Sequence, residues 1–242
     1  MKKNALVTGA SRGIGRAIAL QLARDGFYVW IHYAENRTAA QRLMNEISAS
    51  GGEAALLQAD LCDPKQVEAL TSALPGVDVL VLNASVQVKT PWEQITQEAA
   101  LRQVQCNFMA SVRLIQAVIS HMREKKWGRI VTIGSVQERK PHPDMLVYSA
   151  TKAAQTNMME SLAVQLAKDG ITVNNVAPGV ICTDRNTQAL SDLDYAQKVL
   201  DTIPVGYYGQ PEDCAGIVSF LCSEKSRYIT GQSIYADGGK SL

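Results

Sequence analysis

The sequence predicts a single-domain, doubly wound α/β fold, a parallel sheet with helices on both faces. Three observations carry this expectation. Strand-like apolar runs alternate with helical patterns along all 242 residues, the order that builds a parallel sheet through crossover helices. The runs Ala5-Leu6-Val7, Val79-Leu80-Val81-Leu82 and Ile130-Val131-Thr132-Ile133 are apolar at nearly every position, as strands covered on both faces are. A glycine-rich turn, Thr8-Gly9-Ala10-Ser11-Arg12-Gly13-Ile14-Gly15, joins the first strand to the first helix.

In chain order, Asn4–Thr8 reads as a strand, Gly13–Asp25 as a helix, Phe27–Tyr33 as a strand and Arg37–Ser50 as a helix. Glu53–Ala59 is the next strand, Pro64–Ala73 the next helix and Val77–Leu82 the next strand. A long helical region runs from about 98 to 125, followed by a strand at Arg129–Gly134, a helix at Val147–Lys168 and a strand at Ile171–Val176. The rhythm breaks between Pro178 and Pro211, where turn residues flank a helical pattern around Leu190–Thr202. This segment follows a strand's C-terminal end, where such sheets bind ligands. Residues 180–210 are therefore expected to form a lid over the substrate, with an ordinary long connection as the alternative. No linker, repeat or low-complexity tract divides residues 1–242.

Composition excludes several classes. Lys+Arg 24 against Asp+Glu 23 leaves a formal net charge of +1, which offers no global field for nucleic acid or an anionic membrane. No apolar run approaches the roughly 18 residues of a membrane span. The short apolar run after Lys2-Lys3 reads as an opening strand and not as a signal peptide. Five scattered cysteines without a Cys-x-x-Cys fit a reduced, cytoplasmic setting and predict neither a zinc site nor a disulfide framework. No metal site is expected, and His142 has no histidine neighbour to share one.

Glycines at 9, 13 and 15 would allow a tight turn, close approach of backbone to phosphate and tight helix–strand packing. The helix N-terminus beyond them points free N–H groups at an anion. Tyr148 and Lys152 stand four residues apart, so on a helix they share one face. A nearby cation favours the phenolate, which makes the pair a proton donor to a carbonyl, or a base toward an alcohol, near neutral pH. Taken alone, Tyr-x-x-x-Lys also recurs on ordinary solvated helices.

Thr-Gly-x-x-x-Gly-Ile-Gly together with Tyr-x-x-x-Lys strongly resembles the short-chain dehydrogenases/reductases, and the resemblance spans the chain. Asp60-Leu61 resembles that family's adenine contact, and Asn83-Ala84 its Asn-Asn-Ala-Gly signature. Asn107 falls where the family keeps a catalytic asparagine. Ser135, thirteen residues before Tyr148, falls where it keeps a catalytic serine. Pro178, Gly179, Val180, Ile181 and Thr183 resemble its nicotinamide-side loop, and Tyr228–Gln232 with Asp237-Gly238-Gly239 its closing strand region. The resemblance implies a Rossmann-type fold and a nicotinamide-dependent oxidoreductase. It casts Tyr148 as proton donor, Lys152 as the cation that lowers the tyrosine's pKa and holds the ribose, Ser135 as the hydrogen-bond donor to the substrate oxygen, and Asn107 as the anchor of a water feeding Lys152. The cofactor is expected against Gly9, Ser11, Arg12, Gly13, Ile14, Gly15, Tyr33, Asp60, Leu61, Asn83 and Ala84, together with Tyr148, Lys152 and the 178–183 loop.

No carboxylate ends the second strand at Trp30-Ile31-His32-Tyr33, and Glu35 comes two positions late. Arg12 lies in the turn and Arg37 nearby, which points to NADP(H), since an arginine suits the 2′-phosphate. The alternative, NAD(H) with Glu35 on the ribose, stays open. Ser85 replaces the family's usual glycine, and its Cβ would narrow the cofactor path. The segment 136–147 is charged and stiffened by Pro141 and Pro143; Gln137, Arg139 and His142 are candidates to touch a polar or anionic substrate, or solvent.

The overall look is nearest the 3-oxoacyl-(acyl-carrier-protein) reductases of the family, which implies a 3-oxoacyl thioester as substrate and fatty acid biosynthesis as setting. Arg123, Lys125, Lys126 and Arg129 stand where that branch docks its carrier protein, with an ordinary solvated charged face as the alternative. The alternatives are reduction or oxidation of a free sugar, polyol or small ketone, and a non-catalytic cofactor-binding regulator. Relatives of this size imply a homotetramer, with Val112, Ile115, Met158 and Leu162 available for an interface or for the core.

Overall fold

The computed structural model describes residues 2–184, 186 and 191–242. Seven parallel strands form one sheet in the order β3-β2-β1-β4-β5-β6-β7. They are β1 (Asn4–Val7), β2 (Tyr28–Tyr33), β3 (Glu53–Gln58), β4 (Val79–Leu82), β5 (Gly128–Ile133), β6 (Ile171–Pro178) and β7 (Ser233–Ala236). The crossover helices are α1 (Gly13–Arg24), α2 (Arg37–Ala49), α3 (Pro64–Ala73), α4 (Gln97–Val104), α5 (Ala110–Lys125) and α6 (Leu146–Leu166), followed by α7 (Leu193–Leu200) and α8 (Pro211–Leu221).

Side-chain alternation within the strands divides the core in two. Ala5, Val7, Val79 and Val81 pack with α1, α2 and α8 on one face. Leu6, Leu80, Leu82 and Ile130 pack with α3, α5 and α6 on the other. Each central strand is thus apolar on both sides, which explains the unbroken runs in the sequence. Chain direction across the sheet reverses between β1, which pairs with β2, and β4, which pairs with β1 on its other edge. A crevice opens at such a switch point, outside the carboxyl ends of the strands.

Helix starts follow local chemistry. Asn36 caps α2 by accepting from Ala39 N, Asp63 caps α3 just before Pro64, and Thr96 caps α4 by accepting from Ala99 N. The expected long helix of 98–125 is instead two helices, α4 and α5, joined by a π turn at Gln105–Met109. The expected lid helix is α7, which begins at Leu193; Arg185 and Thr187–Leu190, including the start of the pattern at Leu190, lie outside the described residues. In the closing region only Ser233–Ala236 is strand. Among the described residues no helix is long and apolar enough to cross a membrane.

Of the four apolar positions noted for an interface, Ile115 is core, and Met158 and Leu162 pack against the same cluster. The large apolar side chains that lie exposed on α4 to α6 and the turn between them include Leu101, Met109 and Val164.

Candidate active site

A cleft of about 790 Å³ opens at the switch point. It is lined by Gly9, Ser11, Arg12, Gly13, Ile14 and Gly15 from the first turn, by Tyr33 after β2, by Asp60 and Leu61 after β3, and by Asn83 and Ala84 after β4. Ser135, Tyr148 and Lys152 line it from β5 and α6, and Pro178, Gly179, Val180, Ile181 and Thr183 from the end of β6. Every residue expected to bind a cofactor therefore faces one cavity.

The turn is built for a close approach. Gly9 and Gly13 hold φ of 63° and 54°, a region side chains avoid. A Cβ on Gly15 would lie 2.5 Å from both Gly9 O and Asn83 Nδ2. Asn83 Nδ2 donates to Thr8 O (2.8 Å) and Gly9 O (3.1 Å), while Thr8 Oγ1 accepts from Asn83 N (2.9 Å) and Ala84 N (3.0 Å). Thr8 and Asn83 thus lock the turn to the end of β4. The first turn of α1 carries no acidic side chain, so its N–H groups present an uncontested site for an anion.

Tyr148 and Lys152 share the inner face of α6, both buried, with Lys152 Nζ 5.7 Å from the centre of the Tyr148 ring. The ammonium donates to Ile133 O at 2.6 Å and to Gln155 Oε1 at 3.0 Å. Gln155 Nε2 donates to Ser111 Oγ (3.1 Å), and Ser111 donates to the main-chain carbonyl of Asn107 (3.1 Å). A polar chain thus runs from Lys152 to Asn107, which is fully buried on the π turn. The side chain of Asn107 accepts from Val86 N (2.8 Å) and donates to Val86 O (2.9 Å) and Thr151 Oγ1 (3.0 Å), and Thr151 donates to Tyr148 O (2.7 Å). Asn107 does not line the cleft; it joins the loop after β4 to α6 from behind.

Ser135 N-caps the short turn Val136–Glu138, its Oγ accepting from Gln137 N at 3.2 Å. The hydroxyl proton remains to be donated outward. Glu138 supports this turn from below: its carboxylate accepts from Thr156 Oγ1 (2.9 Å) and Asn175 Nδ2 (3.1 Å).

A family model described as enoyl-(acyl carrier protein) reductase matches residues 9–241. The chain is 39% identical, over 99% of its length and 98% of the relative, to a 3-oxoacyl-[acyl-carrier-protein] reductase of Staphylococcus aureus. The chain belongs to the short-chain dehydrogenases/reductases. It is also 38% identical to an L-rhamnose 1-dehydrogenase (NAD(P)(+)) of Azotobacter vinelandii, over 98% of this chain and 96% of the relative. Among solved structures it is similar to a 3-oxoacyl (acyl-carrier-protein) reductase of Agrobacterium tumefaciens with NADP bound, at 36% identity and a TM-score of 0.92, over 98% of this chain and 93% of that one.

Within this short-chain fold several expected contacts fall elsewhere. Arg12 and Glu35 both line the cleft and Arg37 does not; the Arg12 guanidinium lies 4.0 Å from Asp184. Gln137 and His142 line the cleft and are joined to each other, His142 N donating to Gln137 Oε1 at 2.6 Å. Arg139 points away, over the ring of Tyr235. Arg129 is not a docking residue: its side chain is buried, donates to Gly128 O and Gly170 O, and stacks on Trp127. Arg123 and Lys126 pair with Asp169 at 2.9 and 3.2 Å. Ser85 lines the cleft beside Ala84. Burial pushes the thiols of Cys106, Cys214 and Cys222 up to about 12, so these three stay protonated at neutral pH.

The residue that sequence reasoning missed most clearly is His32. It is buried at the end of β2, accepts from Gly9 N at Nδ1 (3.1 Å) and donates from Nε2 to Ala59 O (3.0 Å). Accepting at one nitrogen and donating at the other defines a neutral tautomer. His32 therefore pins the cofactor turn to the strand ends on either side. Burial pushes it down from 6.5 to about 4, against the opposing pull of the Ala59 carbonyl and Asp60. A depressed histidine contributes stability that is complete above its unfolded value and is lost as pH falls from 6.5 toward 4, because the unfolded chain takes up the proton first. Between pH 7 and pH 5 this one group should cost the fold about 2 kcal/mol. Urea unfolding at the two pH values measures it: His32→Phe should be less stable at pH 7 by about 1–3 kcal/mol, for the unpaired Gly9 and Ala59 groups, yet lose less on going to pH 5. Equal losses in both proteins would contradict the assignment.

Proposed function

We propose that the chain reduces a ketone to a secondary alcohol with NADPH, and that its substrate is a 3-oxoacyl thioester. The observation that carries the reading is the convergence of Ser135, Tyr148 and Lys152 on the cleft that the glycine turn also lines. NADPH, when bound, supplies the hydride. The residues present fit it: a turn that a Cβ would fill, the uncontested N-terminus of α1, and Arg12 at the cleft wall for the 2′-phosphate. The similarity to a reductase with NADP bound supports the same choice.

In this reading Tyr148 donates its phenolic proton to the substrate oxygen. Ser135, its lone pair engaged by Gln137 N, turns its proton toward the same oxygen and fixes its position. Lys152 stabilises the phenolate that forms and holds the nicotinamide ribose, while Gln155 and Ile133 O hold Lys152. Asn107 keeps the π turn in register with α6. Asp60 Oδ1 accepts from Cys62 N (2.9 Å), which shapes the loop that would border the adenine.

The thioester rests on likeness to the Staphylococcus reductase across the whole chain. Docking on a carrier protein through Arg129 is not part of it, because that side chain is buried. A homotetramer is part of it, and exposed Leu101, Met109 and Val164 on the helical face support one. A second reading, oxidoreduction of a free polyol or sugar, is favoured by the polar Gln137 and His142 at the cleft and by the likeness to a rhamnose dehydrogenase.

NADPH consumption with acetoacetyl-CoA, simple ketones and ketoses tests the proposal. Acetoacetyl-CoA should be reduced with the highest kcat/KM, and Tyr148→Phe should lower kcat at least about 100-fold with NADPH affinity kept. Full turnover in Tyr148→Phe would refute the acid role. Arg12→Ala should raise KM for NADPH about tenfold and leave KM for NADH unchanged; equal effects on both cofactors would remove Arg12 from the 2′-phosphate.

A further inference from the structure

Arg102 and Lys240 are cleft-lining cations without a role in the proposed reaction. Lys240 lines the cavity together with Gln137, His142, Tyr195 and Val199. These residues come from the segment after Ser135, from α7 and from the chain after β7, and so define the end of the cleft away from the glycine turn. The tail that carries Lys240 is clasped from both sides. On one side Lys140, in the segment after Ser135, donates to Lys240 O at 3.1 Å and also to the main-chain oxygen of Leu242. On the other, Val205 N donates to Gly238 O at 3.2 Å, and the Lys240 ammonium itself donates to Thr202 Oγ1 just beyond α7.

An ammonium has three protons to donate, and Thr202 takes one. Among the described residues no Asp or Glu side chain forms an ion pair with Lys140 or Lys240. Asp237, the acid next in the tail, makes its hydrogen bonds within its own turn, Oδ1 accepting from Gly239 N (3.0 Å) and Oδ2 from Ser241 N (2.7 Å). Lys240 is half-buried, and burial together with the like charge of Lys140 pushes its pKa down against the smaller opposing pull of Asp237. A partly desolvated cation beside a second cation, facing a cavity, is stabilised by an anion entering that cavity.

We infer that Lys240 forms an anion subsite at the substrate end of the cleft, and that the natural oxo substrate carries a carboxylate or phosphate there. The inference rests on the carbonyl-reductase reading and narrows its substrate class. Gln137 and His142 flank the subsite as neutral hydrogen-bonding groups, and Lys140 holds the tail in place.

Two matched pairs of ketones test it with the native protein. One pairs acetoacetyl-CoA with the neutral N-acetylcysteamine thioester of acetoacetate, which isolates the phosphates. The other pairs 5-keto-D-gluconate with D-fructose, which isolates the carboxylate. The native protein should prefer the charged member of at least one pair. Lys240→Met should raise KM for that member about 10- to 100-fold, leave kcat/KM for its neutral partner within about twofold, and leave NADPH affinity unchanged; Lys240→Arg should restore most of the loss. Equal effects on charged and neutral members, or a weakened NADPH affinity in place of a raised substrate KM, would overturn the subsite. If the protein binds NADPH and reduces neither pair, the reductase reading fails and the subsite falls with it. Reduction of neutral ketones with no charge preference defeats the subsite alone.

Discussion

The ammonium of Lys152 is buried against the end of β5. Burying a charge costs several kcal/mol unless its protons find acceptors. Here Ile133 O and Gln155 Oε1 take two of them. That contact ties the inner face of α6 to the end of β5. Tyr148, one turn earlier, then faces the same cavity, and Ser135 follows two residues after Ile133. Ser135, Tyr148 and Lys152 come together at the cleft because one cation must be satisfied.

The same demand explains the break between α4 and α5. Gln155 is held by Ser111, and Ser111 by the carbonyl of Asn107. A regular helix from 98 to 125 would place one residue fewer between α4 and that contact. The π turn accommodates the extra residue and leaves the Asn107 side chain to join the backbone of Val86 to Thr151. π turns occur mostly where function requires such a local insertion.

The strands, the glycine turn and the Tyr148–Lys152 pair were legible in the sequence because each depends on neighbours in the chain. Ala5, Leu6 and Val7 announce a strand covered on both faces, and helical spacing alone places Tyr148 over Lys152. What was not legible depends on distant partners. His32 is an ordinary residue at a strand end until Gly9 and Ala59 close around it. Arg129 reads as a surface charge in a basic run, yet it is buried under carbonyls from Gly128 and Gly170 and the ring of Trp127. Gln155 lies on the face of Tyr148 and Lys152, one spacing signal that could have found it. Lys240 had none, since only the return of the tail under residues 202–205 brings it to the cleft.

The buried Lys152 ammonium is expected to make Tyr148 a working acid. Single-turnover reduction of the preferred ketone at saturating NADPH, across pH, compares the native chain with Lys152→Met most directly. Lys152→Met should fold, and the rate of its chemical step should fall at least about 100-fold at neutral pH, with part of the loss recovered at alkaline pH. A rate within about twofold of the native chain at every pH would contradict it.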